Sequence, residues 1–543
     1  MQTVSDKWKN AHKQTLLNES FVEVSLDITD PEASETARSQ DNGGIYFSGS
    51  FSAMGGEYIN PSPYCTLEQN LWCLDGKRKA IPEKVYSIDG YISDVLSDDT
   101  CVFSSKLPII TIDYLAAARY FTIPGITITW SETYDEFADT FEIVAYGIGD
   151  RIVARKEITQ NCSNKTIVFL DIPSHDRIEI IVKKWCLPNH RARVEKIFIG
   201  LNKVYGKADL FSFSHSQSVD PISTALPKSE VQFTVDNTNG EYNPYNTDGL
   251  SKYLMEKQEI KVRYGLKLDN GSIEWIKGGT FYLTEQYAKQ NGITADFTAR
   301  DIFEFLSDIY YDSSANTLRS LYDMADEILS TANLPESARY VIDESLKAIE
   351  VFAPLPQDTR ANCLQLIANA GMCAMYQDRE GILRIEKLSD ETNIDTDYTI
   401  NSFNSYSKSE VTLAKPIKEV RVKAYMHSYT NEDGWTSRSR WRSKSIPNVL
   451  KGEIVEVDNP LITVSINFEG VEDTTHPDSV VEWLAKHLAH RMTLDSSWRA
   501  DVRLDALDIV RHENDYANDR VRVTDAEFKY NGAFRGTAKG KVI

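Results

Sequence analysis

EVQFTVDNTNGEYNPY, residues 230–245, is the stretch on which the reading of this chain turns. Val231, Phe233 and Val235 alternate with Gln232 and Thr234, the period of a half-buried strand. The strand runs into Asp236, Asn237, Asn239 and Gly240, which tolerate positive φ or bond their own backbone. Tyr242 and the Asn243-Pro244 step follow, so the strand leaves its sheet through a sharp corner.

The flanking text extends the same pattern over 205–310. Ile260 to Tyr264 is a further strand, and Ile293, Ala295 and Phe297 alternate with Thr294, Asp296 and Thr298. Arg300-Asp301 then opens a short helix carrying Ile302, Phe305 and Leu306, and strands closed by a helix suit a small barrel. Over 311–400 the period becomes helical. Thr317 is the expected N-cap of a helix with Leu318, Leu321, Ala325 and Ile328 on one side. A second helix runs from Thr359 to Ala370, with Gly371 as its left-handed terminator, and a hairpin turns at Asp378 to Gly381. Residues 401–543 are β-rich, with one helix opened by Pro477 and Asp478 and striped by Val480, Val481, Leu484 and Leu488. Asn531-Gly532 marks a hairpin.

N-terminal to these, 1–83 reads as an arm with a short helix and one strand at Phe21 to Ile28. From 84 to 204 short strands such as Ile109 to Ile112, Ile126 to Thr129 and Ile178 to Ile181 follow one another without a long helix, which argues for a β-sandwich of jelly-roll type. The expected fold is therefore mainly β and multidomain, α+β overall: an arm at 1–83, a sandwich at 84–204, barrels at 205–310 and 401–543, and an α+β insert at 311–400.

A chain of 543 residues exceeds one core, and the aromatic complement of 27 Tyr, 21 Phe and 9 Trp favours sheet. With 59 basic and 80 acidic side chains the net charge is −21, which argues against general nucleic-acid binding. Seven cysteines at 65, 73, 101, 162, 186, 363 and 373 form no CxxC pair and read as free thiols. No signal peptide or membrane span is legible.

Chemistry finds little anchorage. His487 and His490 lie three apart on a helix, but KHLAHR lacks the glutamate of HExxH, and packing beside Trp483 or exposure is the better reading. The 236–248 loop departs from an EF-hand because Thr238 stands at its third position, so its oxygens read as turn residues, with a weak calcium site as the alternative. There is no G-x-S-x-G elbow, Cys363 has no histidine partner, and Gly55-Gly56 lies in a polar loop. No cofactor, metal or catalytic residue is assigned. Trp130, Tyr134 and Trp185 are candidate carbohydrate contacts, against the alternative that they plug the sandwich. His190, Arg191 and Arg193 are either binders of an acidic glycan or ordinary edge charges.

The corner at 236–244, with its two strands, resembles the first barrel of phage tail-hub proteins. ANAGMCAMYQDREGILRIEKL at 368–388 resembles their insert, and WRADVRLDALDIV at 498–510 with YNGAFRGTAKGKVI at 530–543 resembles their C-terminal barrel. RARVEKIFIG at 191–200 and GITITW at 125–130 resemble a discoidin-like (galactose-binding-like) sandwich, and LEQNLWCLDG at 67–76 a group of tail proteins in phages of Gram-positive bacteria. The resemblance implies a non-enzymatic hub or tail-tip protein of a phage tail or contractile particle, assembled as a homotrimer whose ring joins tail tube to baseplate. Implied partners are tail-tube, distal-tail, baseplate and tape-measure proteins, with cell-wall glycan as a further one; membrane and specific nucleic acid are not. The implied location is the virion tail tip. Two alternatives stand beside it: a receptor-binding tail protein gripping wall glycan through the sandwich for host attachment, and a peptidoglycan hydrolase, against which the absence of sequence beyond the AFRG hairpin counts.

Overall fold

The computed structural model describes residues 2–14, 18–29, 33, 36–41, 68, 91–114, 123–132, 134–246, 249–254, 256–288, 292–310, 317–335, 338–389, 399–466 and 472–543. The LEQNLWCLDG segment except Glu68, Gly55-Gly56, Cys65 and Cys73 lie outside them. The chain forms two compact units, Leu26–Lys203 and Met1–Ser25 with Val204–Ile543. It passes between them within β1 (Ser20–Ile28) and again within β12 (Leu201–Tyr205).

In the unit 26–203, β2 (Ala37–Asp41), β4 (Ile109–Tyr114), β9 (Arg177–Trp185), β6 (Ala138–Gly147) and β7 (Arg151–Ile158) form an antiparallel sheet in that order. A second sheet runs β11 (Lys196–Ile199), β5 (Ile123–Thr129), β8 (Lys165–Ile172), and β3 (Tyr91–Leu96) pairs with β10 (Arg191–Val194). Alternation along the strands sends Ile110, Ile112, Ile126, Ile128, Phe141, Ile143, Ile178 and Ile180 into one core between the sheets. This is the expected sandwich, but it draws β2 from the segment read as an arm.

The other unit is organised by a single sheet. β15 (Glu259–Lys267), β16 (Ile273–Ala288), β17 (Thr294–Arg300), β14 (Lys228–Asp236) and β13 (Leu210–Ser218) follow one another, and β13 then pairs with β32 (Asn518–Tyr530), followed by β33 (Phe534–Val542), β30 (Met492–Trp498) and β24 (Glu410–Leu413). β1 flanks β15, β31 (Ile509–Glu513) adds to β32, and β23 (Thr399–Ile400) runs parallel to β31. Helix α1 (Asp6–Lys13), capped by Ser5, buries Trp8 and Ala11, and His12 meets the Ala500 carbonyl at 3.1 Å. Trp8 and Ala11 of α1 and Val22, Val24, Leu26 and Ile28 of β1 are therefore buried in the fold, within the segment read as an arm.

Between the strand groups lies an α+β lobe. It holds β18 (Arg319–Ser320) paired with β20 (Glu350–Val351), helices α2 (Leu321–Ser330) and α3 (Arg360–Ala370), and the sheet β19 (Arg339–Ile342), β22 (Ile382–Glu386), β21 (Ala374–Gln377). Its core continues past residue 400. Leu321, Ile328, Leu364 and Leu383 cluster with Val420 and Val422 of β25 (Ile417–Thr430) and with Val480 and Leu484 of α4 (Thr475–Ala489). β25 forms a sheet with β26 (Gly434–Ser445) and β27 (Glu453–Val457), and β28 (Ser465–Ile466) pairs with β29 (Glu472–Asp473). Position 400, expected to divide insert from barrel, thus lies inside the sequence span of one core.

Two helix ends differ from expectation. Ser320, not Thr317, caps α2, accepting from the Asp323 N–H at 3.0 Å, and Leu318 is exposed. Gly371 keeps a right-handed conformation while Met372 takes φ 59°. Glycine is needed at 371 for space: a Cβ there would meet Leu346 Cδ2 at 2.2 Å.

The corner after β14 is built by side chains bonding nearby main chain. Asp236 Oδ1 accepts from Thr238 N–H at 3.0 Å, Asn239 Oδ1 from Glu241 N–H at 3.2 Å and Asn243 Oδ1 from Tyr245 N–H at 3.0 Å. Asn237 is buried, and its Oδ1 accepts from Tyr242 N–H at 2.9 Å; Gly240 supplies φ 70°. These oxygens serve backbone geometry, and Tyr242 is thereby delivered edge-on to Phe297 at 5.0 Å. Asn237→Ala is expected to destabilise the chain by about 1–3 kcal/mol, the cost of an orphaned buried N–H. Denaturant unfolding measures it; an unchanged midpoint would remove the corner's structural role.

Candidate functional site

The three candidate sugar contacts lie at one end of the sandwich, where the 131–136 loop closes on itself through paired Ser131 and Glu136 main-chain bonds of 3.0 Å. Trp130 and Trp185 are both fully buried, packed edge-on at 6.0 Å, so neither has a face to offer a ligand. Their indole N–H groups donate to Thr166 Oγ1 and Glu136 Oε2, each at 2.9 Å. Tyr134 is half-buried with the Arg193 guanidinium 4.9 Å from its ring centre. The sugar-contact expectation is corrected for the two tryptophans: they are core.

His190 and Arg193 are also interior rather than edge charges. Glu136 holds His190 Nδ1 at 3.1 Å and Arg193 Nη1 at 3.5 Å, and Glu68 accepts from Arg193 Nη2 at 2.5 Å. Burial depresses the Arg193 basicity, but the Glu68 and Glu136 carboxylates outweigh it and hold the guanidinium above its ordinary range. The sequence signal available for this network was an acid and two bases flanking strands otherwise rich in isoleucine.

In the second unit the strands of the large sheet carry an aromatic cluster. Fully buried His215 lies between Phe281 and Phe528, with Nδ1 2.8 Å from Tyr264 Oη and Nε2 3.2 Å from Ser229 Oγ. Asp301 bonds the Ser229 main-chain N–H at 2.7 Å, not the histidine, so these three do not form a relay to a nucleophile. Burial pushes the Asp301 carboxyl up to about 7 against its two N–H donors, and burial draws His215 down to about 3.

Ser229 and Asp301 line a cleft of about 450 Å³ where β13–β14, the 377–379 hairpin and the 505–508 segment meet. Arg379, read from sequence only as a turn residue, is the tie across it. Its guanidinium donates to Asp505 Oδ1 at 2.6 Å and to the Lys277 and Leu504 carbonyls at 3.0 and 2.9 Å. Gln377 adds bonds from Ile302 N–H at 2.6 Å and to the Thr280 carbonyl at 2.7 Å. Chemically this arrangement fastens segments together; every donor named is taken by the protein itself.

His487 lies edge-on to Trp483 at 5.4 Å on α4, the packing expected for it. Cys363 is buried within α3, with Sγ 3.6 Å from the Pro356 carbonyl. Burial pushes the Cys373 thiol up to about 12. Among the described residues no group of three or more His, Cys, Asp and Glu side chains is placed to hold a metal, and no helix is long and apolar enough to cross a membrane.

No family model matches the chain, and no curated protein matches it. Among solved structures it is similar to a tail protein from Neisseria meningitidis, at 13% identity and TM-score 0.43 over 62% of this chain and 93% of that one. A prophage 43 kDa tail protein from Shewanella oneidensis matches at 10% identity and TM-score 0.42, over 62% and 95%. A prophage tail protein from Listeria monocytogenes matches at 11% identity and TM-score 0.40, over 62% and 90%.

Arg379→Ala should cost about 3–5 kcal/mol, since it strands two carbonyls and a carboxylate, and Arg379→Lys should fall between; calorimetry of the full chain reads both, and equal stability of all three would refute the tie. For His215 the folded pKa lies below the unfolded one, so only the unfolded chain takes up a proton as the pH falls below about 6.5. Stability should drop by about 1.4 kcal/mol per pH unit from about 6.5 towards 3 on this account. His215→Gln should flatten the acid limb by that slope while leaving the pH dependence above 7 unchanged.

Proposed function

We propose that this chain is a structural component of a phage tail tip or related contractile particle, built as a homotrimeric ring through which tail tube and baseplate are joined. The observation that carries the reading is the β13–β32 ladder, Phe213–Ser218 against Tyr530–Asp525. It welds the strands of 210–300 to those of 492–542, so each subunit presents two strand groups in one fixed relation, as a ring alternating two barrels per subunit requires. The resemblance of 230–264, 368–388 and 498–543 to hub segments supports the same assignment, part by part.

Exposed apolar side chains support assembly. Val411 and Leu413 are 59% and 64% exposed on β24, the end strand of the sheet, and Phe403 and Tyr516 are 93% and 98% exposed. A free strand edge bearing such residues is a liability unless another chain covers it. Copies of this chain, tail-tube and baseplate proteins are the partners in this reading, and the virion tail its location. The sandwich receives no sugar-binding role from Trp130 or Trp185.

Light scattering of the purified chain should give three times the subunit mass, and negative-stain images should show rings. Val411→Arg with Leu413→Arg should yield folded monomers. A wild-type chain that stays monomeric at high concentration would overturn the ring.

A further inference from the structure

Alternation along β25 gives its sheet two unlike faces. Val420 and Val422 turn inwards and are buried with Val480 and Leu484 of α4. Arg421, Lys423 and Tyr425 turn the other way, and the β26 residues directly opposite them are Ser443, Trp441 and Ser439. This second face is open: Trp441 is 47% exposed, and both serines are exposed. Among the described residues no ring or cation stacks on the Trp441 indole, and its N–H has no protein acceptor. The groups around it are polar and already placed. Lys423 Nζ donates to Asp458 Oδ2 at 3.0 Å, and Arg421 Nε to Glu419 Oε1 at 3.1 Å, with Arg421 Nη1 3.6 Å from Glu456 Oε1. Both cations are thus engaged by carboxylates, so the surface beside Trp441 holds fixed donors and acceptors but no unmatched cation.

From this we infer that the outer face of β25 and β26 binds an uncharged saccharide chain, with Trp441 as its stacking floor. A pyranose ring has a face of C–H groups and a rim of hydroxyls, so it lies on an indole while its rim seeks hydrogen-bond partners close by. Ser439 and Ser443 stand about 7 Å to either side of Trp441 along the strand and offer hydroxyls. Lys423 and Asp458 offer a donor and an acceptor across it. A charged polymer meets charges that are already paired and gains little, and an apolar peptide would bury those charges without replacing their water. An open sheet face suits a chain lying across it rather than a single sugar held in a pit. The inference is independent of the ring assembly, since every group named belongs to one subunit.

Isothermal titration of the full chain with chitotetraose, cellotetraose and maltotetraose tests it, with tetragalacturonate as the charged comparison. At least one neutral tetrasaccharide should bind saturably, with an affinity unchanged by added salt and at least about tenfold above that of tetragalacturonate. Trp441→Ala should weaken that binding by at least about tenfold, and Trp441→Phe, which keeps a ring, should fall between. Both variants should match the wild type in melting temperature and in mass by light scattering, because the side chain is exposed. Absence of binding by all three neutral sugars, equal binding by Trp441→Ala, or binding of tetragalacturonate as tight as theirs would overturn the proposal. A lower mass for Trp441→Ala would overturn it too, by showing that another copy of the chain covers this face. The wild-type mass tests the ring and the titration tests the sugar, so either can fail without the other.

Discussion

The hydrogen-bond ladder between β13 and β32 is the constraint on which the larger unit depends. Phe213 to Ser218 pair with β14 on one side and with β32 on the other, and the Ser218 hydroxyl meets Asp525 across a separation of 307 positions. Closing so long a loop costs only about 0.6 kcal/mol more for each doubling of length. The return comes from the aromatic cluster that closure buries: Tyr264, packed against Phe213, meets Phe528 and Phe534 from the late strands, and His215 lies against both Phe281 and Phe528. Each such side chain contributes about 1.5–3 kcal/mol when taken from water. The α+β lobe is then an excursion from one continuous sheet, tethered at both ends by strands already paired.

An excursion still has to be held in one orientation, and the contacts that do so are polar. Arg379 reaches a carboxylate and two carbonyls from two different segments, and Gln377 two more backbone groups. An apolar contact would tolerate sliding, whereas a guanidinium with fixed N–H directions accepts one arrangement and makes the others costly through unsatisfied groups. In the ring assembly proposed above, which needs two strand groups in a fixed relation, such directional joints are the appropriate kind.

What was legible in the sequence was local. The 231–235 alternation, the Asx turns at 236–243, the 378–381 hairpin and the Val480–Leu484 stripe each depend on residues within one element, and the structure has them where the pattern put them. What escaped depends on a distant partner. The capping of α2 moved from Thr317 to Ser320 because β18 occupies the preceding residues to pair with β20. Gly371 serves space beside Leu346 rather than a left-handed φ, and Arg379 looked like turn filler because Lys277, Leu504 and Asp505 are remote in sequence. Within the segment taken for an arm, His12 meets the Ala500 carbonyl and the Glu19 carbonyl accepts from the Lys267 N–H, partners more than two hundred positions later.

The misread tryptophans show how one burial forces the next. Packing Trp185 against Trp130 removes an indole N–H from water, and a buried donor needs an acceptor. Glu136 supplies it, but a carboxylate 1% exposed is costly without a cation, and His190 and Arg193 are drawn in beside it. Arg193 carries more donors than Glu136 can satisfy, and Glu68 completes the pairing. Read singly, each of these residues suggests a binding surface: an aromatic ring, an acid, two bases. Joined by their bond distances, they are successive answers to the desolvation of a single N–H, and their polarity faces inward.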